Sequence, residues 1–375
     1  MNIVIKDCGV VTPFGIGIAP LWNALIAGKS AIAPCRRFDV SAFDCKNASI
    51  RAINIGKSPD APSLIWSLLE PLRNQIKSWE CDHLILATTK GEIDLLEREL
   101  ELNGYNNGIN LPEELTLNAF RKKVVEYLAI PEGTLVSAAC ASSNSAIGIA
   151  AEMLLAGRAG RVCVIGIDIV SKFVFSGFSA LQALSSANLA KPFDLNRDGL
   201  IPGEGCGAIL LECESRRNSN SNLLGKVIGW GTASDANHVT GPSRDGSGLA
   251  AAIAKALDVA DISPGDIGAI SAHGTATVYN DAMEMHAFKT VFPETIPAFS
   301  VKGALGHTMG ASGILETIIS LYALKNKIIP PTAGFSVPDE LSEGWISSKS
   351  AIFANDVILK TNSGFGGINA ALLLK

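Results

Sequence analysis

Charge is scarce in this chain. Only 18% of its 375 residues are Asp, Glu, Lys or Arg, and the formal net charge is −5. No strong field of either sign is available to hold nucleic acid or an anionic membrane, so an acidic partner would need a local basic patch. The eight cysteines (Cys8, Cys35, Cys45, Cys81, Cys140, Cys163, Cys206 and Cys213) contain no C-x-x-C pair. That spacing argues against both a zinc site and a disulfide framework, so no metal is expected. No uninterrupted apolar run approaches the ~18 residues that a membrane span needs. The start, with a short strand Ile3-Val-Ile5 between Asn2 and Lys6, lacks the basic beginning and long apolar stretch of a secretory signal. A reducing cytoplasm is the expected location.

Apolar residues, at 47%, are plentiful. They suffice for a large core with surface left over for an oligomer interface, in two domains or in one large two-part α/β unit. Val162 to Val170 reads as a strand buried on both faces, interrupted by Gly166 and Asp168. Gly9-Val-Val-Thr-Pro-Phe-Gly15 reads as a loop after the first strand. Apolar residues at 64, 68, 72 and 76 predict a helix over Leu64–Trp79 that Pro71 should kink or split. Ala180 to Ala187 reads as a short helix. Strands alternate with helices along most of the chain, which implies a mainly parallel, layered α/β architecture. Residues 215–222, Ser-Arg-Arg-Asn-Ser-Asn-Ser-Asn, form the clear polar link, and we place a boundary there: 1–214 and 215–375. The halves echo each other, with strand, turn and small-residue helix at Val136–Leu155 and again at Phe299–Leu324.

One stretch stands out for chemistry: Val136-Ser-Ala-Ala-Cys140-Ala-Ser-Ser-Asn-Ser-Ala-Ile-Gly148. It reads as a strand, a tight turn and a helix, which puts Cys140 near a helix N-terminus. Unpaired amides and the helix dipole favour negative charge there, so the thiol could be held as the nucleophilic thiolate. An ordinary buried cysteine before a core helix would look the same.

Only five histidines exist, and two share a setting. His273 lies in Ala-His-Gly-Thr-Ala-Thr, followed by Asp281 and Glu284. His307 lies in Lys302-Gly-Ala-Leu-Gly-His307-Thr-Met-Gly. Both follow strand ends, where ligands bind α/β sheets, and adjacent glycines allow close backbone approach. Last comes Asn362-Ser-Gly-Phe-Gly-Gly-Ile-Asn369, which can aim a backbone N–H at an anionic oxygen or can be a simple turn between strands.

These motifs, with Gly9–Gly15, Gly177-Phe-Ser-Ala-Leu-Gln-Ala-Leu-Ser185 and residues 192–205, occur in an order that resembles the β-ketoacyl-acyl-carrier-protein synthases. These are the condensing enzymes of fatty acid and polyketide assembly, and the likeness is to their elongating, Cys-His-His branch. The resemblance runs nearly end to end. It implies a thiolase-like fold of two pseudo-symmetric halves in five layers, αβαβα, usually dimeric, working without a cofactor.

Carried over by motif, Cys140 resembles the acyl-accepting nucleophile. His273 and His307 resemble the pair that assists decarboxylation of the malonyl unit, Lys302 the active-site lysine, and Glu284 its ion-pair partner, with Asp281 in support. The N–H groups of Cys140 and Phe365 would form an oxyanion hole, and Phe365 resembles the gating phenylalanine. The implied partner is an acidic acyl carrier protein. Lys191 stands where a docking residue could lie, while Arg121, Lys122 and Lys123 read as a solvated helix face.

The chain departs from the pattern at Ser363, at Gly303, and in a shorter stretch between Phe43 and Leu115. Thr88-Thr-Lys-Gly-Glu92 resembles a segment of ketosynthases that build pigment-type polyenes. Two other readings share the fold: a chain-length-determining subunit of a heterodimer, which usually lacks the nucleophile, and a thiolase. The latter places a second cysteine late in the chain, whereas none here follows Cys213.

Overall fold

The computed structural model describes residues 3–52, 61–103, 112–216 and 223–375. Most of the polar link, residues 217–222, lies outside them. Among the described residues, eleven strands form the main sheet, ten of them along its path: β1 (Ile3–Thr12), β2 (His83–Ala87), β3 (Glu132–Val136), β4 (Arg161–Asp168), β5 (Gly205–Cys213), β6 (Gly225–Ser234), β7 (Ala269–Ser271), β8 (Ala298–Phe299), β9 (Ile358–Gly364) and β10 (Ile368–Leu374). Their order across the sheet is β8-β7-β9-β10-β6-β1-β5-β4-β2-β3. Read outward from the central β6–β1 pair, each side repeats one pattern: first strand, fifth, fourth, second, third.

The sheet is mixed, which corrects the expectation of a mainly parallel one. β2 runs parallel to β3 and β4, and β7 parallel to β8 and β9. The β1–β5, β4–β5, β1–β6, β6–β10 and β9–β10 pairs are antiparallel. The last two strands of each half return on one another, the second pair through the tight 365–367 turn, and alternation of strands with helices along the chain does not reveal that.

The helices that matter are α1 (Trp66–Ile76), α2 (Leu117–Leu128), α3 (Ser142–Leu155), α4 (Lys172–Ala180), α5 (Ser247–Ala260), α6 (Val278–Val291) and α7 (Ser312–Asn326). α3 and α7 pack on each other and against strands of both halves. Their apolar residues, including Ile147, Ala150, Ile314, Leu315 and Ile318, form the largest core cluster with β1, β4 and β5. α1 and α2 cover the outer face of the first half, and α5 and α6 that of the second, each over its own cluster. The result is five layers, with a helix pair in the middle.

Three local readings are corrected. β1 continues to Thr12 and pairs back on Gly15–Ile16, so the Gly9 to Gly15 segment is mostly strand. α1 passes through Pro71 as one helix. Proline leaves the carbonyl four residues earlier without its partner, and Arg51 Nη1 donates to that oxygen, on Ser67, at 2.9 Å. The helix assigned to Ala180–Ala187 instead precedes it as α4, capped by Ser171 Oγ accepting from Val174 N at 3.3 Å. Gln182, at φ 52, turns the chain out of helix.

Candidate active site

Each central helix carries part of the site at its N-terminal end. β3 leads into Ala139, which holds a left-handed φ of 47, and Cys140 follows just before α3. A non-glycine residue in that region carries strain, and such strain clusters at sites. His307 precedes α7 by a short turn in which Met309, at φ 51, repeats the device. His273 follows β7.

The three side chains meet. His307 Nε2 lies 2.9 Å from Cys140 Sγ, and the rings of His273 and His307 are 5.2 Å apart at nearly right angles. One ligand atom from each of the three lies within 4.8 Å of the others. They line a cavity of about 650 Å³ together with Phe178, Thr275, Thr277 and Phe365. The Phe178 and Phe365 rings sit edge to face, 6.0 Å apart, and Phe178 lies 6.4 Å from the His307 ring. Arg244, over the Tyr279 ring, is the one Lys or Arg among the described residues lining this cavity. Lys191 is half-buried and does not line it. Of the basic cluster, Arg121 donates to Gly133 O and Asn118 Oδ1, and Lys123 pairs with Glu92 at 2.6 Å.

The turn after β9 presses on the nucleophile. A Cβ built on Gly364 would come within 3.0 Å of Ala138 O and 3.1 Å of Cys140 N. A side chain at 364 would therefore crowd the backbone on either side of the nucleophile. The departure at Gly303 has a like cause: a Cβ there would fall 1.8 Å from Ala333 O. Ser363, the other departure, donates to Asn369 Oδ1 at 2.7 Å.

Lys302 is corrected in its partner. Its Nζ donates to Glu316 Oε1 at 2.5 Å and to the carbonyl of His273, not to Glu284. Glu284 accepts instead from the backbone N–H groups of His273 (2.7 Å) and Gly274 (2.6 Å), from Asn280 and from Thr361. Asp281 takes the amides of Thr275, Ala276 and Phe193. These two carboxylates clamp the His273 loop. Asp168 does the same for the His307 loop, accepting from Gly310 N at 2.7 Å and from Thr88 and Thr89.

Sequence reading missed Glu316, Lys360 and Asn362, all buried beside the histidines. A lone acid in the apolar run of α7 and a lone lysine in Val357-Ile-Leu-Lys were the available signals.

Burial dominates the electrostatics. It holds both His273 and His307 well below the usual imidazole range, and Lys302 pushes each the same way. Both rings are therefore neutral near pH 7. Burial also pushes Glu284 up to about 7, with Asp281 adding to the rise. The thiol of Cys140 is pushed up to about 11 by burial. Lys302 and Lys90 pull against that, and Asp168 and Glu316 support it. The resting thiol is protonated, which corrects the expectation of a standing thiolate: burial outweighs the helix end. Met309 N donates to His307 Nδ1 at 3.3 Å, so the ring proton faces the sulfur and stabilises the thiolate as it forms.

Comparison with known proteins agrees with this geometry. Residues 133–217 match the family model described as beta-ketoacyl synthase, N-terminal domain, and 224–336 match its C-terminal domain. The tetracenomycin polyketide synthase ketoacyl synthase alpha subunit of Streptomyces glaucescens is 31% identical over all of this chain and 96% of its own length. The chain belongs to the β-ketoacyl synthase family. The 3-oxoacyl-[acyl-carrier-protein] synthase 2 of Coxiella burnetii is 29% identical over all of this chain and 98% of its own. Among solved structures, the ishigamide ketosynthase/chain length factor superposes with TM-score 0.88, at 28% identity, over all of this chain and 98% of that one. A ketosynthase from Xenorhabdus doucetiae, in complex with its chain length factor, gives 0.84 at 26% identity, over all of this chain and 97% of that one. The five-layered ketosynthase is thus a thiolase-like fold, and it is an acyltransferase by family.

Proposed function

We propose that this ketosynthase carries out decarboxylative Claisen condensation between an acyl thioester and malonyl-acyl-carrier protein. The observation that carries the reading is Cys140 Sγ lying 2.9 Å from His307 Nε2, with His273 beside it, in one buried pocket.

In the first half-reaction the Cys140 sulfur loses its proton and attacks the acyl carbonyl. The carrier's thiol leaves with a proton, and the acyl group stays on sulfur. In the second, the malonyl thioester loses CO₂. The electrons of the broken C–C bond become an enolate whose oxygen accepts N–H bonds from His273 and His307. Each such donor is worth about 3 kcal/mol, and no metal is required. The enolate carbon then attacks the acyl carbonyl, whose oxyanion the Cys140 and Phe365 amides receive. Collapse expels the thiolate and releases β-ketoacyl-carrier protein. Lys302, paired with Glu316, holds the carbonyl of His273 and so anchors that loop behind the pair.

The partner is an acyl carrier protein. Exposed apolar side chains of Leu181, Val278, Tyr279 and Phe365 at the pocket rim suit its thioester arm, and Arg244 suits the charge on that arm. Lys191 remains a docking candidate outside the pocket. The repeated strand order supports a division into two halves, 1–214 and 215–375. No helix among the described residues is long and apolar enough to cross a membrane.

A second reading concerns assembly. Both structural relatives above were solved as, or with, a ketosynthase–chain length factor pair, so this chain can be the catalytic subunit of such a heterodimer rather than a homodimer. The purified chain, given acyl- and malonyl-carrier proteins, is expected to yield CO₂ and β-ketoacyl-carrier protein. Activity that appears only on adding a second ketosynthase-like subunit selects the heterodimer. No product in either case contradicts the condensing reading.

A further inference from the structure

His273 can serve the proposed enolate only if its proton sits on Nε2, and a neutral imidazole has two tautomers. Something must choose between them. The Nδ1 atom of His273 lies 3.0 Å from Nδ2 of Asn362, and that same Nδ2 lies 3.0 Å from Glu316 Oε2. An amide nitrogen has two protons and no lone pair to offer. Reversing the amide would set its oxygen against a carboxylate oxygen, two buried acceptors face to face, which is costly. The amide therefore has one sense: it donates one proton to Glu316 and the other to His273 Nδ1. The ring proton is left on Nε2. The cost is visible on the other atom, since Asn362 Oδ1 is buried without a partner among the described residues.

The orienting carboxylate is itself held from two sides. Lys302 takes Glu316 Oε1 at 2.5 Å, and Lys360 takes Oε2 at 2.8 Å. Lys360 is fully buried on β9, two residues before Asn362, and also donates to the carbonyls of Ser271 and Thr361. A buried cation is retained only where it is paired and hydrogen-bonded. Burial works to raise Glu316, but the two lysines outweigh it and hold that carboxyl below its ordinary range, so it stays an acceptor.

We propose that Asn362 is a positioning residue that fixes His273 as the Nε2–H tautomer, and that Lys360, the second cation on Glu316, keeps the carboxylate aimed at Asn362. The inference rests on the condensing reading. Neither residue touches the reacting atoms; both act through His273, so the decarboxylation step depends on them and acyl loading of Cys140 does not.

The test is ¹⁵N-histidine NMR of the intact protein, with the His273 signal assigned by its loss in His273→Asn, alongside the two half-reactions measured separately. In the wild type, His273 should carry its proton on Nε2. In Asn362→Leu, which removes both donors at similar volume, the proton should redistribute toward Nδ1. Malonyl-carrier decarboxylation should fall about 10- to 100-fold while Cys140 acylation changes less than about threefold, as for residues that orient a histidine from behind. Lys360→Met should move both readouts the same way, and Lys360→Arg should restore them. A His273 proton on Nδ1 in the wild type overturns the proposal, and this measurement decides it even if a variant fails to fold. Wild-type decarboxylation in a folded Asn362→Leu protein overturns it equally. Failure of the condensing reading looks different: the wild type would neither load Cys140 nor release CO₂, whatever the tautomer.

Discussion

Replacing Cys140 with alanine is expected to reduce condensation by at least about 10⁴-fold, because no other group can form the acyl intermediate. The alternatives are countable. Of the remaining seven cysteines none lines the cavity. The substitution should leave the fold intact, since alanine is smaller than cysteine and the turn is set by the backbone at Ala139 and by Ser142. Ser142 Oγ accepts from Ala138 N at 2.8 Å and donates to Ala139 O at 2.6 Å. Malonyl decarboxylation should survive to a measurable degree, because the two histidines remain in place. The check is steady-state formation of β-ketoacyl-carrier protein beside CO₂ release. A Cys140→Ala enzyme that still elongates would remove the account.

The second large effect concerns the histidines. His273→Ala and His307→Ala should each lower malonyl decarboxylation by about 10²- to 10³-fold, the usual cost of deleting one donor to a developing oxyanion. The two should differ in acyl loading. His307 touches Cys140 Sγ and its loss slows loading, whereas His273 does not and its loss leaves loading nearly unchanged.

The pH dependence follows from the same environment. Both imidazoles are held well below their ordinary value, chiefly by burial, so they stay neutral as pH falls through 6.5. The rings should contribute no acid limb there, and should fail only at lower pH once they gain protons; Glu284, pushed up to about 7 and holding the His273 loop, is the buried group that titrates in this range. A limb centred at the ordinary histidine value that persists in Glu284→Gln would mean that the rings titrate as solvent-exposed groups, against the buried site described here.

Much of this was legible in the sequence, for reasons that can be traced. Cys140 declared itself because a strand, small residues and a helix follow one another in a short stretch. His273 and His307 were conspicuous because histidine is rare here and both follow strand ends beside glycine. The reading failed where partners come from distant parts of the chain. Lys302 pairs with Glu316, on the helix beyond His307, and Glu284 turns inward to hold backbone amides. Nothing in residue spacing tells a carboxylate that meets an ammonium from one that meets peptide N–H groups. The sheet's mixed character was missed because β5 returns on β4 after a long connection that contains α4, and β10 on β9 after a short turn, and neither differs in the sequence from any other strand succession. Pro71 passed through α1 because Arg51, from a separate segment, satisfies the carbonyl it strands. The state of Cys140 was misjudged in sign. The helix end was visible in the sequence, but the burial of Cys140, the larger effect, was not.

The most direct test of the central claim is the mass of the intact protein after exposure to a series of acyl-carrier proteins, followed by peptide mapping. The account predicts one acyl adduct, on the peptide containing Cys140, that malonyl-carrier protein discharges as β-ketoacyl product. An adduct on any other residue, or a Cys140 that stays unmodified while product forms, would contradict it.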